Sequence, residues 1–417
     1  MQLRIKRTTL INWLVIFILG WFGIRAVYEL ITNGVMSSYI LLLVELLLLI
    51  LYISQYGVNS LWDKRLWPIV IIWFVYIFIF VYHVNEKRAI SQALSLLFYR
   101  QLFVIKTLGF ILVAVLFKKA GAYMEKLFYH LFLFLFFLSF VILFWLIKEY
   151  GMQFIYLEAT FLGSHISLIT FSYFIVFNSI IGVYLLSRKD LKYDKKIISI
   201  LLILSVCLIM VMGKRGAILS LVVPTFLLFF FQKLSFKRIL IYIGILFILY
   251  FIAIGNIDTI FKFISFFSER LSSALSDAYY FGDNNGRDLI WESGIEQFQQ
   301  KPIFGYYPKI IDVDTSLFFY GLHPHNYWIE ALMTMGLFGS IPFFCYIVYI
   351  LITKFYYAIA SNTPYRFWAV LLISEIIHGT FSSPLCESNI WLALFVLSCF
   401  TKATVKSQKK YDITNRK

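Results

Sequence analysis

Apolar runs of about 18 residues or more, each long enough to cross a hydrocarbon core of about 30 Å, recur along this chain from one end to the other. They fall near 9–30, 36–56, 67–84, 101–117, 127–147, 166–187, 197–212, 217–232, 238–256, 327–352, 366–380 and 388–401. Lys106 interrupts the fourth run, and the eleventh is short. Inside lipid the backbone must satisfy its own polar groups, so each run is expected to be a helix. Only 14% of the residues are charged, against about a quarter in a soluble domain, which leaves too little polar surface for a water-borne fold. The expectation is an all-α, polytopic membrane protein with about 12 transmembrane helices, forming a single integral domain over 1–417. MQLRIKRTTL before the first run looks like the start of a signal peptide. No small-residue cleavage site follows, so an uncleaved first span is expected.

The net charge is +15, and the placement of the basic residues sets an orientation. With the N-terminus in the cytoplasm, Arg4, Lys6 and Arg7 lie inside, followed by Lys64 and Arg65, then Lys118, Lys119 and Lys126. The cluster RKDLKYDKK at 188–196, then Lys233, Lys237 and Arg238, then Lys354 and Arg366, and the Lys-rich tail also fall inside. That is about 24 of the 37 lysines and arginines, the bias that cytoplasmic loops carry. Short clusters between apolar runs make no basic-aromatic groove, so the charge does not point to nucleic acid. Both termini are then cytoplasmic, and 257–325 becomes one large outer loop. The tight GKRG turn at 213–216 is outer as well, and so are His83, His165, His323, His325 and His378. Cys207, Cys345 and Cys399 lie in apolar runs and Cys386 in a short loop. Their spacing suits neither a metal nor a disulfide, and all four read as packing residues.

Within the outer loop, Ile260, Phe261, Ile264, Phe267 and Leu271 recur at helical spacing, which predicts an amphipathic surface helix over 257–275. DNNG at 283–286 reads as a turn. RDLIWESGIEQFQQ then predicts a helix with Ile290, Trp291, Ile295 and Phe298 on one face, ended by Lys301-Pro302. Pro324 suits the first turn of the span that follows.

Several of these polar residues suit chemistry. Lys214 and Arg215 stand on the side that the positive-inside bias disfavours, between two glycines that allow close backbone approach. An interface arginine also snorkels, but two cations on the wrong side point to an anionic ligand. Arg287 opens the loop helix, either as a solvated partner of Asp283 or Asp288 or as a ligand contact. Arg270 suits a lipid headgroup. His323 and His325 flank Pro324, yet no third ligand is spaced to complete a metal site. A histidine acting as a general base is chemically easier there, since an imidazole titrates unperturbed at about pH 6.5. Glu375 and His378 share a helix face within a span, as a structural pair or as partners of a site.

The segments GRDLIWESGIEQFQQKPIFGYYP and HPHNYWIEALMTMGLFGS, within 286–340, resemble the conserved region of the O-antigen ligase and polysaccharide polymerase family. In that family an arginine opens a helix containing a tryptophan, and a proline and a glycine follow. A histidine and a small polar residue then precede two glycines. Here these are Arg287, Trp291, Pro302, Gly305, His325, Asn326, Gly336 and Gly339. The family's arginine at an outer turn, followed by a leucine, is similar to Arg215 with Leu219.

The resemblance implies a glycosyltransferase of the bacterial inner membrane that works on the outer side without a metal ion or other cofactor. Its donor is a glycan on undecaprenyl diphosphate, and its acceptor is either a second lipid-linked repeat unit (a polymerase) or the lipid A core (a ligase). GKRGAIL looks more like the polymerases. Membrane lipids, a chain-length regulator and a flippase of the same pathway are the implied partners. The roles carried over make Arg215 and Arg287 the groups that stabilise the diphosphate, helped by Lys214 and Arg270, because guanidiniums match phosphate oxygens bidentately. His325 would accept the hydroxyl proton, with Glu292 as the alternative base, and Asn326 and His323 would hold sugar. A transporter of lipid-linked glycans is the reading from another class, but neither pseudo-symmetric halves nor broken midplane helices are evident.

Overall fold

The computed structural model describes residues 7–32, 39–61, 63–87, 109–117, 123–151, 160–161, 166–188, 191–232, 257–267, 272–273, 276, 287–305, 324, 326–381 and 388–401. The chain is helical throughout these segments apart from one antiparallel pair of two-residue strands, β1 (Thr160–Phe161) and β2 (Ile166–Ser167). The helices are α1 (Arg7–Ile31), α2 (Tyr39–Tyr56), α3 (Trp67–Lys87), α4 (109–117), α5 (Tyr123–Tyr150), α6 (Leu168–Leu186), α7 (Lys195–Met212) and α8 (Arg215–Gln232). Then come α9 (Ile257–Phe267), α10 (Arg287–Gln300), α11 (Tyr327–Ile350), α12 (Tyr356–Ala360), α13 (Tyr365–Phe381) and α14 (Ile390–Ser398). One π-helical turn, Leu351–Phe355, joins α11 to α12.

Five described helices are long and apolar enough to cross a membrane: Thr8–Tyr28, Met124–Tyr150, Leu168–Leu186, Lys195–Met212 and Tyr327–Ala360. Leu43–Tyr56 and Arg215–Phe231 are shorter apolar helices. Of the expected spans, 238–256 lies outside the described residues and 101–117 is described from 109 onward. The chain is thus a multi-pass, all-helical membrane protein.

Burial distinguishes the helices. In α6 every residue from Phe171 to Leu185 is buried, and α14 is buried along its whole length. These two, with the first half of α13, form the interior. Lipid supplies little hydrophobic drive for helix association, so close packing must hold them together. Gly23 of α1 lies against Phe174 of α6, and Gly182 of α6 against Phe132 of α5. Buried aromatics fill the rest: Trp73 meets Trp391 edge-on at 4.6 Å and Phe117 meets Trp368 at 4.9 Å. Such pairs contribute about 0.5–1.5 kcal/mol beyond area burial. The outward faces stay apolar, with Phe144 71% and Ile352 73% exposed, as a lipid-facing surface requires. Cys207 and Cys345 also face outward, so of the described cysteines only Cys399 is a buried packing residue. The other two are exposed on their helices.

One end of the bundle gathers basic side chains on helix-terminal carbonyls. Arg65 donates to the Cys399 carbonyl at 3.0 Å, and Arg366 donates to those of Ile359 at 3.0 Å and Ser187 at 3.2 Å. Arg188 donates to the Asn362 carbonyl and pairs with Glu125. Cations are favourable where helices expose carbonyls. The opposite end carries the candidate site.

Candidate functional site at the other end of the bundle

The turn between α7 and α8 is built by glycine. Gly213 closes α7 in the left-handed conformation at φ 64°, donating its N–H to the Met210 carbonyl, and α8 restarts at Arg215. Lys214 and Arg215 are therefore half-buried cations at a helix N-terminus, where the dipole disfavours positive charge and favours an anion. Gly216 follows because space demands it: a Cβ there would stand 2.3 Å from the Tyr173 hydroxyl and 3.2 Å from Cβ of Phe381. Further along α8, Pro224 has no N–H to offer the Ser220 carbonyl four residues before it. Ser374 Oγ of α13 supplies that bond instead, at 2.7 Å, and locks the two helices together.

The start of α11 reaches the same place from the other side. Asn326 is its N-cap, its Oδ1 accepting from the backbone N–H groups of Trp328 at 2.9 Å and Ile329 at 3.2 Å. That leaves the amide Nδ2 as the part of Asn326 not used by the cap. Pro324 stands two residues before this cap, outside the helix, so it does not occupy the first turn as its sequence position suggested. Trp328 donates its indole N–H to Thr380 Oγ1 at 3.1 Å, and the ring of Tyr327 lies flush on Gly379. The last turn of α13 is thus the common wall: Gly379 and Thr380 touch the α11 start, and Phe381 touches Gly216 beside Arg215.

On the same wall, His378 Nδ1 lies 3.5 Å from Glu375 Oε2, and the imidazole stacks on Tyr173 at 3.4 Å between ring centres. Ser388 donates to Glu375 Oε2 at 2.9 Å and Asn389 to Oε1 at 3.3 Å.

The loop helix α10 is joined to α11 by backbone. α11 kinks at Gly336, where φ is 56°, so the helix restarts with unpaired N–H groups. Leu337 and Phe338 donate to the carbonyls of Pro302 at 2.8 Å and Ile303 at 3.0 Å, at the end of α10. Gly305 and Gly336 meet back to back: a Cβ on either would stand 2.6 Å or less from the other's backbone nitrogen. Gly294 packs on Ile329, where a Cβ would come within 2.7 Å. From Gly294 to Ile303 and from Ile329 to Phe338 the two helices advance together, so they run in the same direction. Arg287, seven residues ahead of Gly294, then begins α10 about 10 Å beyond that contact, at the end of the bundle that holds Asn326. Ile295 was expected on the packed face but is exposed, because Gly294 takes the contact point. Glu292 is exposed on α10.

Residues 200–344, about a third of the chain, match the family model described as O-antigen ligase. This part of the chain is similar to O-antigen ligase. The region includes the Arg215 turn, α10 and the start of α11, so the resemblance read from the motifs holds over the segments that build this end of the bundle. No curated protein and no solved structure matches the chain.

Of the expected site residues, the α8 start with Lys214 and Arg215 and the α11 start with Asn326 converge on α13. Arg287 is placed by its backbone at the same end. Arg270, His323 and His325 lie outside the described residues. Sequence reasoning missed Tyr173, which is hidden in the apolar run of α6, and the seam made by Gly379 and Thr380.

Proposed function

We propose that the chain is a glycosyltransferase that polymerises undecaprenyl-diphosphate-linked oligosaccharide repeat units at the outer face of the bacterial inner membrane. The observation that carries this reading is that the Arg215 turn and the Asn326 cap, both within the O-antigen ligase region, meet on the last turn of α13. The end of the bundle holding them is the outer face in this reading, and 257–325 is the outer loop of a single membrane domain.

Arg215 and Arg287, each at the start of a helix, hold the donor diphosphate, with Lys214 and Arg270 adding positive charge. An acceptor hydroxyl attacks the reducing-end sugar carbon, the bond from that carbon to the diphosphate oxygen breaks, and undecaprenyl diphosphate leaves. Guanidiniums stabilise the charge that grows on the leaving oxygens. The family resemblance gives the proton-accepting role to His325, with Glu292 as the alternative base. Nδ2 of Asn326 and His323 orient sugar. The description of the matched family favours a second reading, transfer of the glycan to lipid A core.

The test is reconstitution of the purified full-length protein with undecaprenyl-diphosphate-linked repeat unit, followed by gel analysis of product length. A ladder that falls about 100-fold or more in Arg215→Ala supports the polymerase. One transferred glycan, seen only with lipid A core present, supports the ligase. Movement of the lipid across the bilayer without new glycosidic bonds would replace both with a transporter.

A further inference from the structure

His378 sits at the seam of the site. The three residues after it each touch one of its walls: Gly379 meets Tyr327, Thr380 accepts from Trp328, and Phe381 lies against Gly216. Its own ring stacks on Tyr173, whose hydroxyl abuts Gly216 next to Arg215. Ionisable groups inside a span are costly and usually face the bundle interior or a water path. Here the cost is offset by an ordered row: the Ile390 N–H donates to Ser388 Oγ at 2.9 Å, Ser388 and Asn389 donate to Glu375, and Glu375 faces Nδ1 of His378. A carboxylate oxygen 3.5 Å from Nδ1, itself fixed by two other donors, favours the tautomer with the proton on Nδ1 and leaves Nε2 as the basic atom. No described residue hydrogen-bonds that Nε2. The side chain keeps 15% exposure.

Resting on the glycosyl-transfer reading above, we propose that Glu375 and His378 form a proton-accepting dyad of the reaction. Nε2, in place of His325, takes the acceptor hydroxyl proton as the new carbon–oxygen bond forms and the bond to the diphosphate breaks. The proton then passes to the departing diphosphate. Glu375 is the positioning residue, orienting the ring through Nδ1. The titratable groups around the ring are Glu375 on its own helix and Tyr173 on α6, with Lys214 and Arg215 on the adjoining turn.

The test uses the full-length protein reconstituted with undecaprenyl-diphosphate-linked repeat unit, comparing wild type, His378→Gln and Glu375→Gln. Glutamine at 378 keeps a polar donor within reach of Glu375 but cannot take a proton. The expected result for His378→Gln is a loss of about 100-fold or more in kcat, with KM for the donor and thermal stability in detergent near wild type. Glu375→Gln should lower kcat by about 10-fold while leaving the KM for the donor near wild type, since the ring loses the acceptor that orients it. In a His378→Ala protein, added imidazole should restore part of the turnover. Wild-type kcat in His378→Gln, alongside an active wild type, overturns the dyad alone. A wild type that forms no glycosidic bond with either acceptor overturns the glycosyl-transfer reading and the dyad with it.

Discussion

Gly216 and Arg215 are neighbours with opposite demands. In its proposed role Arg215 needs room for an anion, whereas Gly216 has none to give, since the Tyr173 hydroxyl occupies the space a Cβ would take. Gly216→Ala should therefore push α8 from α6 at a cost of about 1–3 kcal/mol and carry Arg215 with it. Tyr173→Phe removes the offending oxygen, although Phe381 still crowds the position. The double variant should recover part of the activity and of the melting temperature lost in Gly216→Ala; no recovery in either would show that the contact is not what fixes the turn. The legibility of the two neighbours differs for the same reason. Arg215 announces itself by violating the charge bias of the loops, while the requirement at Gly216 comes from a tyrosine that looks like any other apolar-run residue. Asn326 is an intermediate case, since an asparagine ahead of an apolar run suggests a helix cap but does not say which half of its amide the cap uses.

Among the elements, α10 and α11 depend on each other more than on their side chains. Carbonyls at the end of α10 meet the N–H groups of the restarted α11, so the C-terminus of one helix caps the broken middle of the other. Gly336→Ala would place a Cβ 2.3 Å from the Ile303 carbonyl oxygen, at a φ of 56° that alanine tolerates poorly. The expected loss is about 2–5 kcal/mol, read as a drop in melting temperature and as faster proteolysis within 301–305. Unchanged protection of that segment would mean the joint is not holding it. The sequence marked the helix over 287–300 and its end at Lys301-Pro302, because periodicity and proline are local signals. It could not mark the joint, since a backbone-to-backbone contact leaves no trace beyond glycines. Ile295 was misassigned for the same cause: apolar spacing predicts a packed face from side chains, and here the packed point has no side chain.

For the molecule as a whole, the two ends of the bundle are chemically distinct. One end places Arg65, Arg188 and Arg366 on carbonyls and carboxylates; the other holds Lys214 and Arg215 beside an anion-favouring helix start. In the proposed orientation, which follows the positive-inside bias, the first end is cytoplasmic. In an otherwise cysteine-free protein, a membrane-impermeant maleimide should label Glu296→Cys in intact spheroplasts, and Lys192→Cys only after permeabilisation. The reverse pattern would invert the orientation and remove the site from the outer face. Helix positions were readable along most of the chain because hydrocarbon thickness imposes a run length on every crossing segment. Which ends meet was not, because α6, α8, α11 and α13 come together through contacts far apart in sequence, such as Ser374 with Ser220 and Trp328 with Thr380. The joint at Gly305 and Gly336 has one more consequence. A connector made of main chain is indifferent to the side chains it carries, so it behaves as a standard socket. Exposed positions of α10 that carry no proposed role, such as Glu296, are then expected to accept substitution with the melting temperature unchanged, provided both glycines stay.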